Sequence, residues 1–179
     1  MAQNGIIKIA VVGAESTGKS WLCERLAMHY QTLWVPEYAR DYFNDSDIYN
    51  YTENDLVLIA KEQMRQEEDS LKKASRFLFC DTTLLTLTIW AELEFNRTPA
   101  FIQSNLPLVP YDHYLVTNND IPWEPDALRQ NKFSRDSILQ MNLAELHRLG
   151  ASYTLITGKE QQRLQQAIEA VDMAALKTT

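Results

Sequence analysis

The sequence predicts an α/β fold of three layers, in which a five-stranded parallel sheet lies between two layers of helices. Three observations lead to this prediction. Five short apolar runs alternate with segments of helical periodicity, a pattern typical of β-α-β units. A glycine-containing loop joins the first run to the first helical segment. Right-handed crossovers then favour the strand order 2-3-1-4-5, in a single domain over residues 1–179.

The first strand is predicted over residues 6–12, where an apolar run suits a strand that is buried on both faces. Residues 13–20 fit the pattern G-x-x-x-x-G-K-[ST], a loop that binds the phosphates of nucleoside triphosphates. A helix with one apolar face is predicted to follow over residues 19–30. Strand, loop and helix therefore stand in the required order. The alternative is a glycine-containing turn that binds no ligand.

Each fixed position of this phosphate loop (residues 13–20) has a chemical task. Gly13 allows a tight turn out of the strand, and Gly18 allows the backbone to approach a phosphate closely. Lys19 reaches the β- and γ-phosphates, and the Ser20 hydroxyl binds Mg²⁺. The residues expected to bind ATP here are Gly13, Ala14, Glu15, Ser16, Thr17, Gly18, Lys19, Ser20 and Trp21.

A second strand is predicted over residues 32–35, and it is followed by a polar and aromatic stretch. Glu37, Tyr38 and Arg40 stand at the carboxyl end of this strand, on the side of the site where a phosphoryl acceptor binds. A carboxylate there accepts a hydroxyl proton, so Glu37 is the expected base and Asp81 the other candidate. The alternative is a structural pair of Glu37 and Arg40 at helical spacing.

The next helix is predicted from about residue 53 to residue 74. Thr52 and Asp55 resemble a capping box at its start. Its charged residues are expected on a solvated face. They are Lys61, Glu62, Arg65, Glu67, Glu68 and Asp69.

The third strand, over residues 76–81, is apolar and ends in Asp81. In the predicted strand order it lies beside the first strand, so Asp81 comes next to Ser20. Its carboxylate is expected to bind Mg²⁺ there, directly or through water. The alternative is that Asp81 caps the following helix. The next residue is Thr82, where many hydrolytic ATPases have a glutamate that activates water. This difference favours a transferase over a hydrolase.

The second half of the chain continues the alternation of helices and strands. Helices are predicted over residues 84–94, from about 98, over 135–149 and over 160–176, with strands over 112–117 and 151–157. Asn118, Asn119 and Asp120 follow the fourth strand without the lysine of the guanine-binding motif N-K-x-D, which argues against GTP. The loop after the fifth strand lies beside the phosphate loop, so Gly158 and Arg163 are expected near the adenine.

Residues 118–135 form a long polar segment that we interpret as a lid over the site. Arg129, Lys132 and Arg135 would bring positive charge to the transferring phosphoryl group. Trp123, between two prolines, would stack on a flat substrate ring. The alternatives are a solvated loop with surface ion pairs, and packing of the indole on the core.

Composition places limits on the partners of the protein. The 179 residues have a net charge of −7, which argues against a broad nucleic-acid surface. No apolar run is long enough for a transmembrane helix, and no signal peptide is visible, so we expect a cytoplasmic protein with no membrane partner. Cys23 and Cys80 are expected to be buried free thiols. The oligomeric state is not predicted.

Four blocks of the sequence resemble one family when they are taken together. They are residues 13–20, the E-Y-A-R of residues 37–40, the F-C-D-T of residues 79–82, and the N-D-I-P-W-E-P-D-A-L-R of residues 119–129. Over nearly the whole chain they resemble the ribosylnicotinamide kinase domain of the NadR-type regulators of NAD synthesis. The resemblance implies phosphorylation of nicotinamide riboside, or a similar nucleoside, with ATP and Mg²⁺. It also places Asp126 among the residues that bind the substrate.

Only the kinase half of that family is carried over to this chain. The adenylyltransferase half has an H-x-G-H motif, and His29, His113 and His147 do not form it. The alternative function belongs to another class: a regulatory nucleotide-binding module that hydrolyses ATP slowly and has no small-molecule acceptor.

Overall fold

The computed structural model describes residues 5–44, 50–125 and 133–178. Its centre is an all-parallel five-stranded sheet with the order β2-β3-β1-β4-β5, so the predicted architecture and strand order are confirmed. The strands are β1 (Ile7–Gly13), β2 (Leu33–Val35), β3 (Phe77–Asp81), β4 (His113–Thr117) and β5 (Tyr153–Ile156). The helices are α1 (Lys19–Tyr30), α2 (Tyr38–Tyr42), α3 (Glu53–Leu71), α4 (Leu84–Phe95), α5 (Ala100–Asn105), α6 (Arg135–Arg148) and α7 (Glu160–Thr178).

The core consists of apolar layers on the two faces of the sheet, and β1 contributes to both. Ile9 and Val11 pack with α1 and α7 on one face, because alternate residues of a strand point to opposite sides. Ala10 and Val12 pack with α3, α4 and α6 on the other face. A strand that is buried on both sides needs the continuous apolar run from which it was predicted.

Helix ends follow the capping chemistry in the sequence. Thr52 and Asp55 form the predicted capping box at the start of α3. Gly150, with φ of 63°, follows the end of α6. The backbone N–H of Gly150 donates to His147 O and that of Ala151 to Leu146 O, a Schellman arrangement. The helix α2 was not predicted, because five residues are too few to show a helical period.

One expected surface residue is buried. Glu67 was predicted on the solvated face of α3, and this prediction is wrong, because its side chain is 3% exposed and pairs with Lys8 Nζ at 2.5 Å. The Tyr111 hydroxyl donates to the same carboxylate. Burial raises the pKa of Glu67, whereas the charge of Lys8 and the hydrogen bonds from Lys8 and Tyr111 lower it. Lys8 is a buried cation in the central strand, so it requires an anionic partner.

Two further expectations concern membrane helices and thiols. Within residues 5–44, 50–125 and 133–178, no helix combines the length and the apolar character that crossing a bilayer requires. Cys23 and Cys80 are both buried free thiols, as predicted.

Candidate active site

The phosphate loop turns out of β1 directly against β4. Gly13 has φ of 145°, and a Cβ at this position would lie 2.3 Å from Thr117 Oγ1 and 2.8 Å from Thr117 O. Gly18, with φ of 77°, is the N-cap of α1 in the left-handed region. A residue with a Cβ is therefore excluded at Gly13 by the contact with Thr117. At Gly18 it is disfavoured by backbone strain.

Hydrogen bonds hold the loop in shape. The Thr17 hydroxyl donates to Ala14 O at 2.8 Å and lies 2.6 Å from the Thr117 hydroxyl. Because the Thr17 proton goes to Ala14 O, the Thr117 hydroxyl is the donor of this short contact, and it also lies 3.2 Å from Val12 O. Lys19 Nζ donates to Ala14 O at 2.8 Å, which holds the ammonium beside the cavity that the loop lines. These contacts fix the shape of the loop and the position of the Lys19 ammonium.

Asp81 lies beside Ser20, as the strand order predicted. The Ser20 hydroxyl donates to Asp81 Oδ2 at 2.5 Å, and the other carboxylate oxygen, Oδ1, is buried without a hydrogen-bond partner. Burial, followed by the charge of Glu37, raises the pKa of Asp81 to about 6, while Lys19 lowers it. The cap of α4 is Thr83, whose hydroxyl accepts from Leu85 N–H. The alternative role of Asp81 as a helix cap is therefore wrong.

The residues around Asp81 fit a magnesium ion. The Ser20 hydroxyl and the Asp81 carboxylate, whose Oδ1 is buried and unpartnered, are the hard oxygen donors that Mg²⁺ prefers. In the parts of the chain that the structure describes, no three His, Cys, Asp or Glu side chains form a metal cluster. Ser20 and Asp81 are the residues that would hold the ion.

Glu37 and Arg40 line the same cavity as the phosphate loop. Arg40 Nε lies 3.2 Å from Glu37 Oε2, at i,i+3 spacing along α2. Glu37 and Arg40 therefore form the structural ion pair and also line the cavity, so the ion pair does not argue against a place in the site. Tyr38 packs against the apolar core, and its backbone N–H donates to Gln63 Oε1 at 2.9 Å.

The opposite wall of the cavity comes from residues that the sequence did not single out. Thr86, Ile89 and Trp90 project from α4, and Ile138 and Asn142 from α6. Thr86 and Asn142 are buried polar residues in otherwise apolar helix faces, and this contrast is the signal that sequence analysis missed.

The first part of the predicted lid rests on the phosphate loop. The Ser16 hydroxyl accepts from Glu124 N–H at 2.8 Å. Arg135 Nη2 donates to Ile121 O at 2.9 Å, and its Nε is buried without a partner. Trp123 is half-buried, its indole N–H has no hydrogen-bond partner, and it does not line the cavity described above. Asp126, Arg129 and Lys132 lie outside the described residues.

Arg163 lies behind the phosphate loop, where its side chain is 2% exposed. Its guanidinium donates to Thr17 O, to Gly158 O at 3.1 Å and to Asn118 O at 3.2 Å, and it pairs with Asp120. This geometry gives Arg163 a positioning role for the loop. Contact of Gly158 or Arg163 with adenine stays a prediction.

Comparison with known proteins identifies the family of the chain. Residues 8–163 match a family model described as an AAA domain. The chain belongs to this AAA domain family. It is 29% identical over 140 residues to the trifunctional NAD biosynthesis/regulator protein NadR of Salmonella typhimurium, an alignment that covers 75% of this chain and 34% of the relative. The NadR protein of Escherichia coli is 29% identical over 126 residues, 68% of this chain and 30% of the relative.

This AAA-domain chain spans about a third of the length of these curated relatives. Its fold is that of a crystal structure of NadR in complex with NR, with a TM-score of 0.78 and 22% identity over 96% of this chain and 50% of that one. Thymidylate kinase from Ehrlichia chaffeensis has the same fold, with a TM-score of 0.66 and 12% identity over 94% of this chain and 98% of that one. The resemblance to NadR that the sequence motifs suggested is therefore confirmed.

Proposed function

We propose that this chain transfers the γ-phosphoryl group of ATP to the hydroxyl of a small nucleoside, with nicotinamide riboside as the first candidate. One observation carries the proposal: the phosphate loop shares a single cavity with Glu37 and Arg40 and with the wall from α4 and α6. A site that only hydrolyses ATP needs no such space beyond the γ-phosphate. The similarity to NadR, one structure of which holds NR, supports the choice of candidate.

The donor side of the reaction is assigned to the phosphate loop. The loop N–H groups, the N-terminus of α1 and Lys19 bind the phosphates of ATP. Ser20 and Asp81 would hold Mg²⁺, which when bound neutralises charge on the phosphate oxygens. A structure of NadR in complex with NAD and AMP-PNP, with a TM-score of 0.76, supports ATP as the nucleotide.

The acceptor side is assigned to Glu37. The acceptor oxygen forms a bond to the γ-phosphorus while the bond to the leaving oxygen of ADP breaks, and the hydroxyl proton passes to the Glu37 carboxylate. Asp81 is the less suitable base, because its Oδ2 is already bound to Ser20 beside the proposed metal position. Arg40 Nε, 3.2 Å from Glu37 Oε2, orients the carboxylate toward the cavity.

Residues 118–135 are proposed as a lid of this one kinase domain. Two anchors support the proposal: Glu124 N–H on Ser16, and Arg135 on Ile121 O. The first anchor connects the beginning of the segment to the phosphate loop, and the second connects its last residue to Ile121 near its beginning. Arg129 and Arg135 are the residues proposed to stabilise charge on the transferred group.

A panel of nucleosides with Mg²⁺ and ATP tests the function. We expect ADP release that depends on nicotinamide riboside and saturates with its concentration. Equal ADP release without any acceptor would contradict the kinase and identify an ATPase. ADP release with a different nucleoside alone would keep the reaction and change the substrate.

A further inference from the structure

Two buried polar atoms in the cavity wall have no hydrogen-bond partner among the residues that the structure describes. The Thr86 hydroxyl and Asn142 Oδ1 are both buried without a hydrogen bond. Thr86 is 6% exposed and Asn142 is 0% exposed, and both line the cavity that contains the phosphate loop. An unsatisfied buried polar atom destabilises the folded protein, so a ligand that pairs with both atoms binds more tightly.

The orientation of the Asn142 amide is fixed by its own helix. Asn142 Nδ2 donates to Ile138 O, one turn earlier, at 2.8 Å. Because a carbonyl oxygen can only accept, the NH₂ group of Asn142 must be the group that faces Ile138 O. The other amide atom, Oδ1, therefore points away from the backbone. Asn142 requires a hydrogen-bond donor from the ligand.

Helical spacing places an aromatic ring next to these polar atoms. Thr86 and Trp90 are four residues apart on α4, so they share one face of that helix. Ile138 and Asn142 share one face of α6 in the same way. The side chains of this wall are uncharged, while the cations Lys19 and Arg40 lie on the side of the phosphate loop and α2. This end of the cavity therefore suits a neutral polar group attached to a flat ring.

We propose that Thr86 and Asn142 are specificity-determining residues that bind a hydroxyl or amide donor of the acceptor nucleoside, with Trp90 in contact with its ring. The proposal rests on the proposed kinase function and assigns its acceptor subsite to α4 and α6. Trp90, rather than Trp123, is then the aromatic residue of the subsite.

The test uses two threonines of α4 as a matched pair. Thr86→Val removes a hydroxyl that has no protein partner, whereas Thr88→Val removes one that donates to Leu84 O at 2.9 Å within the helix and does not line the cavity. We expect Thr86→Val to raise the KM for nicotinamide riboside about tenfold, to leave the KM for ATP unchanged and not to lower Tm. Thr88→Val is expected to leave both KM values unchanged and to lower Tm.

Asn142→Leu provides the second variant. Titration of nicotinamide riboside into the folded variant is expected to show about tenfold weaker binding than in the wild-type chain, with unchanged binding of an ATP analogue. Unchanged nucleoside KM and affinity in both Thr86→Val and Asn142→Leu would overturn the subsite while leaving the kinase intact. Failure of the wild-type chain to bind or phosphorylate the nucleoside would instead overturn the proposed function together with the subsite.

Discussion

Glu37 and Asp81 are two carboxylates in one site with different surroundings. Asp81 is buried beside Ser20, and its pKa is raised to about 6, first by burial and then by the charge of Glu37. Glu37 lies on the α2 side, paired with Arg40. The different surroundings support the proposed roles, in which Asp81 is a metal ligand and Glu37 is the base.

The corresponding prediction compares two conservative variants. Glu37→Gln is expected to lose most of kcat and to keep the wild-type dependence on Mg²⁺, because the variant lacks the proton acceptor. Asp81→Asn is expected to shift the Mg²⁺ dependence to higher concentration. Steady-state rates over a Mg²⁺ series measure both. If Glu37→Gln turns over normally and Asp81→Asn is inactive with unchanged Mg²⁺ affinity, the two roles are reversed.

The raised pKa of Asp81 also gives a pH dependence. Mg²⁺ binds the ionised carboxylate, and the proton competes with it below a pH of about 6. The Mg²⁺ concentration required for half-maximal rate is therefore expected to rise as the pH falls from 7 to 5. A half-maximal concentration that does not change over this range would exclude Asp81 as a ligand.

At the scale of elements, the Arg163 side chain of α7 contacts the phosphate loop. Arg163 connects Thr17 O in the loop, Asn118 O after β4 and Gly158 O after β5. A planar guanidinium donates in several fixed directions at once, which a lysine ammonium does not reproduce. Arg163 thus links three loops at the carboxyl edge of the sheet.

Arg163→Lys is expected to weaken the binding of an ATP analogue about tenfold, because the loop loses its support from behind. Isothermal titration measures the affinity. Arg148→Lys is the matched control, since Arg148 is exposed and pairs with Glu145 of the same helix. Equal affinity in the wild-type chain and Arg163→Lys would show that the loop keeps its shape without this side chain.

Some elements could be predicted from the sequence, and some buried residues could not. The strands, the phosphate loop and α1 were predicted because their signals are local: an apolar run, two glycines and a helical period. The burial of Glu67 was not, because it depends on Lys8 of β1, which is distant in sequence. Thr86 and Asn142 were missed for the same reason, since their cavity exists only when α4 and α6 meet.

At the scale of the whole molecule, one histidine connects stability to pH. His113 is buried at the start of β4, and its ring Nε2 lies 2.8 Å from the Thr154 hydroxyl of β5. Burial, followed by the charge of Lys177, lowers its pKa below the usual value of about 6.5. The folded state therefore disfavours the protonated ring, and its contribution to stability is present above pH 6.5 and is lost as the pH falls below it.

The expected result is a fall in Tm between pH 7 and pH 5 that is larger in the wild-type chain than in His113→Gln. Thermal unfolding at several pH values measures the difference, in which the contributions of the carboxyl groups cancel. His29→Gln serves as the control, because His29 is exposed. Parallel pH profiles for the wild-type chain and His113→Gln would contradict the assignment.

The function proposed for the whole molecule is the transfer of a phosphoryl group from ATP to a nucleoside. The most direct measurement follows the label of [γ-³²P]ATP with Mg²⁺ and nicotinamide riboside, and Lys19→Ala serves as the inactive control. We predict labelled mononucleotide in a one-to-one ratio with ADP from the wild-type chain, and none from Lys19→Ala. Label found only in inorganic phosphate, at a rate that does not change when the nucleoside is left out, would contradict the claim.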